Sequence, residues 1–164
     1  MENSEEGSEL KGEVEDVHSK FLTFFLGGVE YGVNITHVVE IVRIQQITSL
    51  PVPSSNVCGI INLRGSVIPV VDLRSRFSLP EREHDDRTSI IIVNLDRTAV
   101  GLICDEVAEV VDMDSSTIDP LPSLAADGVQ DCIEGIRRCE NGDVVILLDI
   151  YMVLDWRAIE AEVM

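Results

Sequence analysis

Between Gly59 and Leu73 the chain reads G-I-I-N-L-R-G-S-V-I-P-V-V-D-L, and eight of these fifteen residues are Ile, Val or Leu. Two apolar runs, 60–63 and 67–71, flank a bend holding Asn62, Arg64 and Gly65. Runs this short and this rich in β-branched residues, broken by glycine, predict a hairpin of two core-forming strands. Pro69 removes one ladder donor from the second run, which predicts an edge position or a bulge there. Arg64 at the bend leaves two readings open. A turn arginine is usually only solvated, but one mounted between two rigid strands can also present a fixed charge for recognition.

The same punctuation recurs along the chain. Gly27-Gly28 separates 20–26 from 29–35, Asp96-Arg97 separates 88–95 from 98–105, and Asn141-Gly142 separates 132–138 from 143–149. Tight hairpin turns need positive φ, so the glycine pairs are strong hairpin signals. Aromatic residues make up only 4% of the chain, so Val, Ile and Leu must build the core, and these favour strands. Thr36–Arg43 breaks the alternation and predicts a short helix, with Val38, Val39, Ile41 and Val42 on one face and Asn34 or Thr36 as its cap. His37 and Glu40 would share a side of it. Residues 45–50 read as extended up to Pro51-Val52-Pro53, 74–77 as a helical turn and 80–86 as a charged loop. Residues 107–113 extend the sheet, 114–128 form a long loop, and Ile150–Glu160 predicts a closing helix. About ten short strands at close intervals predict a mainly β chain of barrels or a sandwich.

Charge narrows the partners. The 164 residues carry 30 acidic and 12 basic side chains, a formal net charge of −18. Such a chain repels phosphate backbones and anionic lipid, so neither nucleic acid nor a membrane surface is an expected partner. Residues 1–19 hold seven acids against one lysine, without apolar periodicity, and predict a disordered acidic tail. No apolar run approaches the roughly 20 residues of a membrane span, and the acidic start M-E-N-S-E-E is no secretory signal. Cys58, Cys104, Cys132 and Cys139 include no C-x-x-C pair. They predict reduced thiols in a cytoplasmic protein, with no disulfide or zinc site.

Catalytic motifs are missing. His18, His37 and His84 are scattered, and His37 with Glu40 is at most half a metal site. Asp112-x-Asp114 begins like a calcium loop, but Thr117 stands where glycine is needed and Ser123 where glutamate is needed. Nucleophile-elbow, phosphate-loop and dinucleotide motifs are absent from the sequence. Two readings follow: an adaptor presenting strand edges and grooves to proteins, or a small-ligand-binding β-barrel, which the low aromatic count weakens.

Three segments then carry a resemblance. F-F-L-G-G-V-E-Y-G-V-N-I-T-H-V-V-E-I (Phe24–Ile41), V-C-G-I-I-N-L-R-G-S-V-I-P-V-V-D-L-R-S-R-F (Val57–Phe77) and V-G-L-I-C-D-E-V-A-E-V (Val100–Val110) resemble the CheW family in order and spacing. The likeness runs from about Lys20 to Leu154 and implies one CheW-like domain over 20–155, with 156–164 as the end of a C-terminal helix. It implies two five-stranded SH3-like β-barrel subdomains on a shared apolar core, a short helix after the first hairpin, no catalysis and no cofactor. Family members are adaptors that couple the cytoplasmic tips of chemoreceptors to the regulatory domain of the histidine kinase CheA, at receptor arrays. The chain has no room for a kinase or receiver domain, so a free-standing coupling protein is expected, of motility or of another pathway. The resemblance assigns Val38, Glu40 and Arg64 to receptor binding and Ile35, with the strand edges beside it, to kinase binding. Glu40 and Arg64 should lie close enough to pair. Gly59, Gly65, Gly101 and Gly135 are expected to serve the backbone, at turns or where a Cβ would clash.

Overall fold

The computed structural model describes residues 18–50, 57–121 and 132–155. The expected acidic tail before His18, the Pro51-Val52-Pro53 connector, residues 122–131 and the segment 156–164 lie outside the described residues.

Local turn chemistry sets the strand pairs. β1 (His18–Leu26) and β2 (Val29–Asn34) meet at Gly27 and Gly28, both at positive φ (57° and 83°). β4 (Val57–Leu63) and β5 (Ser66–Asp72) meet at Arg64 and Gly65 (51° and 89°), and β6 (Ser89–Leu95) and β7 (Thr98–Cys104) meet at Asp96 and Arg97 (50° and 72°). Two consecutive left-handed residues give the turn twist that matches the flanking strands. β8 (Glu106–Asp114) and β9 (Ile118–Asp119) follow, and β10 (Ile133–Arg138) pairs with β11 (Val144–Leu148) across the turn at Gly142. α1 (Leu73–Arg76) is the expected helical turn, capped by Asp72. α2 (Ile150–Leu154) is capped by Asp149 and closed by Asp155 at φ 53°; of the helix expected over Ile150–Glu160, residues 156–160 lie outside the described residues.

The strands form two sheets. One is six-stranded in the order β8-β1-β2-β11-β10-β9, the other five-stranded in the order β3-β6-β7-β5-β4, where β3 is Val38–Arg43. Each sheet curls over its own small cluster. Ile61, Ile68, Val70, Ile90, Ile92 and Ile103 fill the five-stranded lobe, and Phe21, Met113, Val145 and Leu147 fill the other. The opposite faces meet in one shared core, where Leu22, Phe24 and Leu26 of β1 pack with Ile91, Val93, Val100 and Leu102 and with Val153 and Leu154 of α2. β6 is therefore buried on both faces, which is why its sequence is an unbroken I-I-I-V run. Each such Ile or Leu withdrawn from water contributes about 1.5–3 kcal/mol. The architecture is mainly β with SH3-like lobes, as expected, with strand counts of six and five.

Three local expectations change. Residues 38–43 are a strand, not helix: only Ile35–His37 form one 3-10 turn, with the Asn34 side chain accepting from Thr36 N at 2.9 Å. The β-branched run 38–42 instead pairs residue by residue with β6 and shows alternating burial, with a bulge between Val38 and Glu40. Partners some fifty residues away override a weak local helix signal. β8 does not extend the sheet of β7; it crosses to pair antiparallel with β1, starting from His18, so the first strand begins inside the segment read as tail. Pro69 lies in an interior strand, but the parallel ladder from β5 to β7 begins only at Val70, so β5 is still an edge on that side at the proline.

Candidate functional site

The β4–β5 turn is built to hold one side chain in place. Asn62 Oδ1 accepts a hydrogen bond from Gly65 N at 3.1 Å, and Arg64 takes the left-handed position between them. From this mount Arg64 Nη2 donates to Glu40 Oε2 on β3. The Glu40 side chain is 30% exposed and that of Arg64 is 68% exposed, so the acid is anchored on the sheet and the guanidinium faces solvent. The pair that the resemblance led us to expect is thus formed across 24 residues of sequence.

Around this pair lies an open groove of about 580 Å³. Ile68, Pro69 and Ile92 line its buried side, while Val39, Leu63, Val67 and Arg97 border it with Glu40 and Arg64. Val39 and Val67 are 56% and 64% exposed. Exposed valines beside a fixed charge pair present an apolar surface with a polar register mark, which suits a protein segment better than a small metabolite. The charged groups among the described lining residues are a carboxylate and two guanidiniums, with Ser66 and Thr98 as hydroxyls.

The other predicted residues fall elsewhere. Val38 is half-buried, paired with Val93 and packed against the shared core, so its neighbour Val39 borders the groove instead. Ile35 is also half-buried against that core, in the 3-10 turn. A Cβ on Gly59 would stand 2.5 Å from Thr48 O, one on Gly101 2.8 Å from methyl carbons of Ile90 and Val70, and one on Gly135 2.7 Å from Ile118 Cγ2. Gly65 has open space but φ 89°. His37 and Glu40 share no helical face; the His37 ring packs edge-on against Tyr151 at 5.6 Å.

Sequence reasoning missed two features. Arg97 was legible only as half of a turn, although its place in a left-handed hairpin slot signals an unusual side chain for that position. Asp105 is 7% exposed and gathers Arg74 Nη1 at 2.6 Å, Arg82 Nη1 at 3.0 Å and Gly27 N at 2.8 Å, partners dispersed along the chain. Among the described residues, no group of three or more His, Cys, Asp or Glu side chains could hold a metal ion. No described helix is long and apolar enough to cross a membrane.

Fold and groove together define a small, two-lobed β scaffold of the SH3-like kind. The CheW-like domain family matches residues 20–158. The chain is 38% identical to the chemotaxis protein CheW of Bacillus subtilis (strain 168), over 83% of this chain and 86% of that protein. It is 33% identical to the chemotaxis protein CheW of Klebsiella aerogenes, over 90% of this chain and 87% of that one. The crystal structure of the scaffolding protein TtCheW from Thermoanaerobacter tengcongensis superposes with a TM-score of 0.72 at 34% identity, covering 82% of this chain and 86% of that one. The chain belongs to the CheW-like family, whose members are non-catalytic chemotaxis scaffold proteins.

Proposed function

We infer that this chain is a cytoplasmic coupling protein that joins the cytoplasmic tips of chemoreceptors to the regulatory domain of the histidine kinase CheA within signalling arrays. The observation that carries this reading is the Glu40–Arg64 pair standing on the rim of an apolar groove, in a chain of the CheW-like family. A receptor tip is a helical hairpin. Val39 and Val67 offer it apolar contact, and the fixed charges set its register. Glu40 and Arg64 are the receptor contacts in this reading, with Val38 supporting β3 from behind. Ile35, with the strand edges beside its 3-10 turn, serves the kinase side.

Binding energy in such a contact concentrates in a few central residues. The test is co-sedimentation of the chain with soluble receptor tips and CheA. Assembly that needs all three components supports the coupling role, and Arg64→Glu should abolish receptor capture while leaving the fold intact. Undiminished receptor affinity in Arg64→Glu would count against the groove, and no complex with either partner would count against the role itself.

A further inference from the structure

Among the described residues that line the groove, Glu40 is the only carboxylate, and Arg64 already holds it. The groove's second cation, Arg97, has no ion-pair partner among the described residues. Its neighbour Asp96 does not line the groove; the Asp96 carboxylate accepts from the Tyr151 hydroxyl at 3.3 Å, on the side of α2. The groove is therefore a locally cationic site on a chain whose net charge is −18. Arg97 also occupies a costly place. It sits at φ 72°, in a hairpin position that glycine or asparagine fills with less strain. The Arg97 side chain is exposed and forms no ion pair with another described residue.

We propose that Arg97 is a specificity residue of this groove, reading a carboxylate on the docked segment, so that the occupant is an acidic helical segment with an apolar face. The proposal rests on the receptor-binding reading of the groove and adds its charge requirement. Arg64, already paired with Glu40, fixes register, while Arg97 is the cation left over for the partner. The chain's net charge of −18 disfavours acidic segments that do not seat in the groove, which sharpens the selection.

The variants separate binding from folding. Arg97→Gly removes the charge and suits the left-handed turn, so it should leave the thermal midpoint unchanged or higher while weakening binding. Calorimetric titration of the full chain with a soluble receptor-tip fragment should show a roughly fivefold loss, the effect of one partly exposed ion pair. Arg97→Glu should lose more, and both losses should shrink at high salt. Arg87→Ala, at an exposed arginine outside the groove, should bind like the wild type. Wild-type affinity in both Arg97 variants, with binding lost in Arg64→Glu, would overturn the role of Arg97 and leave the groove reading intact. A wild-type chain that ignores the tip overturns the groove reading itself. Sedimentation showing that Arg97→Glu dissolves a dimer would assign the face to a second copy and overturn the proposed occupant.

Discussion

The Arg74 guanidinium and the Asp105 carboxylate meet at 2.6 Å with side chains only 15% and 9% exposed, and they tie the two lobes together. Arg74 follows the five-stranded sheet in α1, and Asp105 also accepts from Gly27 N, in the β1–β2 turn of the six-stranded sheet. Arg82 joins from the charged loop at 3.0 Å. Removing the acid leaves Arg74 charged, largely buried and without its counter-ion, and such losses cost more than the intact pair contributes. Asp105→Ala should therefore destabilise the fold by about 3 kcal/mol. Urea denaturation measures it, and a loss below that of an ordinary surface substitution would show the network to be ornamental.

Gly59 is the second sensitive point. Its missing Cβ leaves room for Thr48 O, which accepts from Ile60 N at 2.9 Å, while Thr48 N donates back to Ile60 O at 2.9 Å. That bridge ties the segment after β3 onto β4. Alanine would meet the Thr48 carbonyl and, at 2.6 Å, the Ile47 Cγ2 methyl, so Gly59→Ala should cost about 2 kcal/mol. Hydrogen exchange at the Ile60 amide should accelerate in parallel. Gly65→Asn, at φ 89° in open space, should stay within about 0.5 kcal/mol of the wild type.

Gly59 was legible as a backbone glycine, whereas the Asp105 network was not. The hairpins at Gly27-Gly28 and Asp96-Arg97 are legible because turn residues and flanking β-branched runs are adjacent in the chain. The strand identity of 38–43 is not, because it is decided by pairing with β6, and the run of valines fits a helix face equally well. The same holds for β8, which leaves its sequence neighbour for β1. Within the site, Glu40 and Arg64 were accessible through a family motif, whereas the place of Val39 at the groove was not, because the bulge between Val38 and Glu40 that exposes it is set by pairing with β6. Asp105 was invisible because Gly27, Arg74 and Arg82 come together only in the fold.

The Glu40–Arg64 pair should matter little to stability. Its arginine is largely solvated, and exposed pairs of this kind contribute about 0–1 kcal/mol. A double-mutant cycle with Glu40→Gln and Arg64→Gln, read by thermal or urea unfolding, should give a coupling below about 1 kcal/mol. A coupling of several kcal/mol would assign the pair to folding and remove the main reason for treating it as a recognition device.

Cys104 gives the fold an alkaline limit. The thiol is 1% exposed, and burial, reinforced by the neighbouring Asp105 carboxylate, pushes its pKa from 9.0 up to about 12. Below pH 9 folded and unfolded chains both keep the proton, so its full contribution to stability is present. Between pH 9 and about 12 the unfolded chain releases a proton that the fold retains, and stability falls as pH rises. A three-unit shift corresponds to ~4 kcal/mol at the top of that window. Tyr31 and Tyr151, also raised chiefly by desolvation, add to the fall above pH 10. Urea unfolding across pH 8 to 11 should show the decline, and Cys104→Ala should flatten its lower part while retaining the tyrosine contribution. An unchanged slope in Cys104→Ala would mean that another group sets the limit.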